Sequence, residues 1–224
     1  MPVLTIRAKV IADPKTEEIL LDAMRCATKV YNGLLWHLRE EFKSTGKVTV
    51  TRKRLNGILK ILPRAKEYYS LSVRATRDEV IQAFRSFFAL RKAGKARHHM
   101  PGFRRKKTYS PLRYFDGYGY RLEGDKLTLS LGKSRTDGVK QVTVALQMRR
   151  GVPIVRIRNI LLTYDANVGL KAHLVVEAEA KAAKGQRKVA VDLGETQAIA
   201  AVFDDGTALM YSGRMIKAVR RYWQ

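Results

Sequence analysis

The sequence predicts an α+β protein of more than one domain, and three observations predict it. Apolar residues recur at helical spacing through much of residues 17–93. After residue 111 the period becomes two, in short runs separated by turn residues. From residue 188 a third pattern begins, strand–turn–strand–turn–strand and then a helix. The chain has 224 residues and 46% hydrophobic content, enough for one large domain or two to three small ones with a real core.

Taken in order, residues 3–11 (VLTIRAKVI) alternate apolar and polar and read as a strand, broken by Asp13-Pro14. Thr16, followed by Glu17 and Glu18, opens a helix over 17–44 whose apolar positions include Ile19, Leu20, Ala23, Ala27, Val30, Tyr31, Leu34 and Leu35. Its early acids suit the helix dipole, and Gly46 ends it. Residues 51–62 form a short basic amphipathic helix stopped by Pro63. Residues 70–93 form another, with Val73, Val80, Ile81, Ala83, Phe84, Phe87, Phe88 and Leu90 on its apolar side, stopped by Gly94. Residues 94–111 (GKARHHMPGFRRKKTYSP) read as a loop rich in Gly, Pro and cations. Strands follow at 126–133, 142–149, 154–164 and 170–179, which suggests a small barrel or sandwich. Residues 181–188 read as a polar linker, and there is no internal repeat or low-complexity tract.

Lys and Arg number 44 against 20 Asp and Glu, a formal charge of +24. Solubility alone asks for a net charge of roughly 2–8. So large an excess points to a polyanionic partner that neutralises it. Residues 51–110 hold 17 Lys and Arg but 3 Asp and Glu, so over half the excess lies there. A protein that displaces counterions from a phosphate backbone needs such local density. The single Cys26 excludes a disulfide framework or a zinc ribbon built within this chain. No apolar run approaches the roughly 20 residues of a bilayer span, and the start MPVLTIRAKV is no signal peptide. The expectation is a cytoplasmic protein, associated with the nucleoid in a prokaryote.

The chemistry centres on Asp192, set among Val189, Ala190, Val191 and Leu193. An ionised carboxylate in an apolar strand is costly unless paired, and Mg²⁺ is a natural compensation. A strand–turn–strand–turn–strand run with an Asp in its first strand opens the RNase H-like fold, in which acids hold two Mg²⁺ ions about 3.5–4 Å apart. Two other readings compete. Actin-like ATPases open in the same way with a D-x-G phosphate turn, but Glu195 after the glycine would repel phosphate. Alternatively, Asp192 only caps the following turn.

Five segments in order resemble TnpB, the OrfB-type transposase family, and its relatives among type V CRISPR effector nucleases. They are YNGLLWHLREEFKSTGK at 31–47, SVRATRDEVIQAFRSFF at 72–88, MPGFRRKK at 100–107, GLKAHLVVE at 169–177 and KVAVDLGETQAIAAVFDDGT at 188–207. The resemblance implies an oligonucleotide-binding-type β-barrel (wedge), made of residues 1–12 and 111–184. It implies a helical recognition lobe inserted at 13–110 and the start of an RNase H-like (RuvC) nuclease domain at 185–224. Asp192 would be the first catalytic and Mg²⁺-binding carboxylate. Guide RNA from the transposon end and double-stranded target DNA are the implied partners, with base pairing carrying the specificity.

The sequence departs from this pattern in one respect. The later strands from which a RuvC site draws its further acids, and the family's Cys cluster, do not follow before Gln224, and Ile216, Val219 and Trp223 lie on one face of the last helix. The expectation is an amino-terminal portion that binds RNA and DNA, has no zinc, and does not cleave by itself; a carboxy-terminal nuclease portion would be a further partner. The alternative is a non-catalytic binder that acts by occupancy, and a third reading is a ribosome-type RNA-binding protein. Candidate nucleic-acid contacts are Arg52, Lys53 and Arg54; Arg74 and Arg77, three apart on one helix; Arg104, Arg105, Lys106 and Lys107; and Lys217, Arg220 and Arg221. Tyr109, Tyr114, Phe115, Tyr118 and Tyr120 are stacking or packing candidates. His98 and His99 have no partner at ligand spacing.

Overall fold

The computed structural model describes residues 1–94, 99–148, 154–179, 187–194 and 196–222. The expectations for His98, Glu195, Trp223 and most of the 181–188 linker lie outside these residues. The chain divides into two compact units, Met1–Glu179 and Ala180–Gln224.

The first unit is built around a seven-stranded antiparallel sheet. Its strands are β1 (Val3–Ile11), β2 (Leu112–Phe115), β3 (Tyr120–Glu123), β4 (Lys126–Ser130), β5 (Gln141–Met148), β6 (Ile154–Asp165) and β7 (Gly169–Ala178), in the order β2-β6-β7-β1-β5-β4-β3. The first strand lies mid-sheet between β7 and β5 and so joins the β2-β6-β7 half of the sheet to the β5-β4-β3 half. Side chains alternate as a half-buried pleat requires. Ala8, Val10, Leu127, Leu129, Val144, Leu162, Leu174 and Val176 turn into the core. Arg7, Lys9, Thr128 and Thr143 turn out. The two edge strands are joined by a tight turn bridged at Phe115 and Tyr118. The Tyr114 hydroxyl donates to the Ser130 carbonyl of β4 (3.1 Å), and the Tyr120 hydroxyl donates to the Ile157 carbonyl of β6 (2.9 Å). These ties curl the sheet into a nearly closed barrel.

Between β1 and β2 come α1 (Pro14–Thr45), α2 (Arg52–Ile61), a 3-10 turn at Pro63–Lys66 and α3 (Ser70–Lys92). The helix α1 begins three residues before the expected start, because Asp13-Pro14 does more than end the strand. The Asp13 carboxylate accepts the Thr16 N–H (3.0 Å), and Pro14 supplies a first residue that needs no partner for its nitrogen. At the other end Gly46, at φ 66°, donates to the Phe42 carbonyl. The Thr51 side chain caps α2 through the Arg54 N–H. Leu20, Met24, Ala27, Leu34, Leu35 and Leu38 of α1 are buried, as are Val80, Ile81, Phe84 and Phe87 of α3. Helix and strand residues form one continuous hydrophobic cluster. Each fully buried Leu or Phe in it contributes roughly 1.5–3 kcal/mol.

One contact between helices and barrel is backbone on backbone. Gly132, after β4, lies so close to the chain beyond the 3-10 turn that a Cβ there would sit 2.3 Å from the Glu67 carbonyl carbon and 2.4 Å from the Lys66 oxygen. No other residue fits without displacing one of the two segments.

The second unit holds β8 (Val189–Asp192), β9 (Gln197–Phe203), β10 (Ala208–Ser212) and α4 (Arg214–Tyr222), the strands forming an antiparallel sheet in the order β10-β9-β8. Val189, Val191, Leu209 and Tyr211 on one face, and Val202 and Met210 on the other, are all exposed.

Candidate nucleic-acid interface

The basic loop before β2 is held from beneath by polar side chains of α1. The Asn32 amide nitrogen donates to the Arg104 carbonyl, and its oxygen accepts the Arg104 N–H, both at 2.9 Å. The Thr28 hydroxyl donates to the Thr108 carbonyl (2.7 Å) and accepts the Ser110 N–H (3.1 Å). Arg39 donates to the Pro101 carbonyl (3.2 Å) and lies 4.9 Å from the Phe103 ring centroid. A loop of fixed backbone therefore presents Arg105, Lys106 and Lys107 to solvent, and no ion pair holds them among the described residues. Such a run is suited to phosphate contacts.

Arg104 itself is spent inside the fold. Its guanidinium stacks over the Tyr31 ring at 3.8 Å, pairs with Glu79 (2.8 Å) and donates to the Ser110 hydroxyl (2.6 Å). Arg113 shares the same Glu79 (3.4 Å). Burial pushes the Tyr31 phenol above its ordinary value, with Arg104 opposing.

The remaining candidates separate in the same way. Arg74 is exposed on α3, whereas Arg77 turns into the seam with α2, donating to Asn56 (2.6 Å) and Asp78 (2.9 Å). Three-residue spacing puts both on one broad side of the helix, but the α2 contact divides that side. Arg52 pairs with Asp78 (3.2 Å) and Arg54 with Glu41 (2.5 Å), leaving Lys53 exposed between them. In the second unit Lys217 donates to the Thr196 hydroxyl (3.2 Å), and Arg220 and Arg221 are exposed on α4. Of the aromatic candidates, Tyr114 is fully buried and stacked on Tyr69, and Tyr109 packs on Tyr164 (4.7 Å). Phe115 and Tyr118 are exposed at the turn between β2 and β3.

Asp192 is exposed at the end of β8, opposite Ala200 of β9. A two-Mg²⁺ centre needs several carboxylates at one point. Among the described residues no two further His, Cys, Asp or Glu side chains gather with Asp192. This donor set by itself does not fit such a centre.

Three side chains of that kind do gather elsewhere, unanticipated: Asp22, Cys26 and Glu67. Arg135, its side chain almost wholly buried, pairs with Asp22 (3.2 Å) and Asp137 (2.5 Å), and Arg64 pairs with Glu67 (2.5 Å). Burial, with Asp22 and Glu67 alongside, pushes the Cys26 thiol up to about 12, so it stays protonated and donates to Glu67 (3.5 Å). With both carboxylates facing guanidinium groups and no thiolate, the cluster serves as an ionic clasp between α1, the 3-10 turn and the β4–β5 loop. The signal in the sequence was Asp22 and Cys26, four apart on α1; Glu67 and Arg135 reach them only through the fold.

No family model matches this sequence, and no curated protein does. Among solved structures, the chain is similar to a CRISPR-Cas12f ternary complex at 10% identity and TM-score 0.51, over 93% of this chain and 50% of that one. It is also similar to Cas12f1 in a complex with sgRNA and target DNA, at 10% identity and TM-score 0.50, over 99% of this chain and 60% of that one. The fold is thus shared with these type V CRISPR effectors, and the chain spans half to three-fifths of their length. No helix among the described residues is long and apolar enough to cross a membrane.

Proposed function

We propose that this chain binds guide RNA and double-stranded target DNA as part of a transposon-associated, RNA-guided DNA endonuclease similar to TnpB. One observation carries the reading: a chain of charge +24 is similar in fold, over 99% of its length, to Cas12f1 solved with sgRNA and target DNA. In this reading the anchored run Arg105–Lys107, with Lys53 and Arg74, contacts backbone phosphates, while pairing with the guide selects the sequence. Unit Ala180–Gln224 supplies the opening of a RuvC-type sheet, and Asp192 is its first carboxylate. Phosphodiester hydrolysis with Mg²⁺ then needs acids beyond those described. The donor set around Asp192 favours a second reading, in which the chain acts by occupancy and cuts nothing.

The test uses the purified chain with the RNA that co-purifies, a target plasmid and Mg²⁺. Binding of a defined RNA without cleavage is expected. Random cellular RNA with no preferred species would refute the guide-RNA reading. Cleavage lost on Asp192→Ala would show the site complete within this chain and refute both the need for further acids and the occupancy reading.

A further inference from the structure

A cavity of about 600 Å³ lies between the 3-10 turn and head of α3 on one side and the ends of β4 and β5 on the other. Lys66, Lys133 and Lys140 line it, all exposed, and no ion pair holds any of them among the described residues. The acids nearest in the chain are engaged elsewhere, Glu67 with Arg64 and Asp137 with Arg135. The wall between the lysines is partly apolar, with Leu131 and with Tyr69, whose ring is fixed by stacking on Tyr114 at 5.2 Å. Ser134 adds a hydroxyl at the rim. Gly132 and its backbone neighbours hold the two walls together, so the cavity is formed before any ligand arrives.

Three uncompensated ammonium groups call for an anion of more than one charge or oxygen, and lysine is a common point-charge partner of phosphate. The volume lies within the roughly 300–1,000 Å³ of small-molecule sites and far exceeds a bare phosphate. An apolar wall beside the cations suits a base or sugar. A base held in a duplex is stacked and paired and cannot enter. We propose that this cavity holds one unpaired nucleotide, its phosphate on Lys66, Lys133 and Lys140 and its base or sugar against Leu131 and Tyr69. The proposal rests on the nucleic-acid-binding reading and adds to it a site for a single nucleotide, separate from the Arg105–Lys107 run.

The full chain is titrated with a fluorescent single-stranded RNA 12-mer and with a duplex of equal length. Changing Lys66, Lys133 and Lys140 together to Ala removes the phosphate contacts and should weaken the single strand roughly tenfold or more, and the duplex much less. Ser134→Trp, which fills the cavity and leaves every charge in place, should weaken the strand in the same way, while Ser134→Ala should not. Thermal melting confirms that each variant is folded. Lysine-dependent competition by adenosine monophosphate would identify a free nucleotide as an occupant; lysine-dependent binding of strands alone would identify a nucleotide within a chain. Equal loss for strand and duplex, with Ser134→Trp unchanged, would reduce the lysines to a general field and overturn the proposal. Unaltered strand binding by both variants would overturn it too and leave the broader reading standing. A parent chain that binds no strand at all would overturn both.

Discussion

Arg104 and Arg105 are adjacent in one basic run, yet their environments assign them opposite work. Arg104→Ala should lower stability by about 1–3 kcal/mol, because it leaves Glu79 with only the longer Arg113 contact and uncovers Tyr31. Arg105→Ala should leave the melting midpoint nearly unchanged and reduce the salt dependence of RNA binding by about one unit of slope. Equal melting curves for the two variants would refute this division. The sequence could mark the run as basic but not the split, since composition carries no record of which cation meets an acid from a distant helix. Arg77 was hidden for the same reason. Gly132→Ala should cost about 1–3 kcal/mol through the clash with the Glu67 backbone, read as a lower thermal midpoint. His173 gives a pH signature. Its burial, with Arg7 opposite on β1 and Lys171 on its own strand, holds the imidazole below the usual value, beside the Thr163 hydroxyl at 3.1 Å. The unfolded chain therefore takes up the proton first. Stability is complete above about pH 6.5 and declines as pH falls toward the lowered folded value. His173→Gln should lessen that decline in melting midpoints between about pH 7.5 and 5; parallel curves would refute it.

Elements with strong period were legible, and elements set by distant contacts were not. The α3 expectation, 70–93, matches Ser70–Lys92 to within a residue, because its apolar spacing and Gly94 stop are local signals. The strands after residue 126 were placed to within a few residues for the same reason. Strands β2 and β3 were missed: each is four residues long, and their tyrosines are fixed by carbonyls on β4 and β6, which no local window contains. The aromatic run on α3 belongs to the core. Phe84 is fully buried and Phe87 nearly so, with the Phe42 ring 6.1 Å from Phe87. Phe84→Ala should therefore cost about 3–5 kcal/mol in urea unfolding, with little effect on RNA affinity in the folded fraction. A large affinity loss at full folding would mean that Phe84 acts on the ligand.

Across the whole molecule, the sequence separated a helical lobe from a barrel, and the structure joins both in one core within Met1–Glu179. The join rests on single positions such as Thr28, Arg135 and Gly132, which a residue-by-residue reading cannot weigh. Its consequence for stability is direct. Residues 1–179 expressed alone should melt in one transition near that of the full chain, as followed by circular dichroism; separate transitions for helices and strands would refute a common core. The candidate phosphate contacts were legible as charge density. The lysine cavity was not, because Lys66 and Lys133 come together only when the turn and the barrel loop meet.

That meeting has a further consequence. Because Gly132 presses one main chain against another, the turn carrying Lys66 and the loop carrying Lys133 are joined by backbone contact, and the width between them is set by that contact. Any occupant too wide for that gap must break the contact to enter, so under the proposal above the seam would sort ligands by girth as well as by charge.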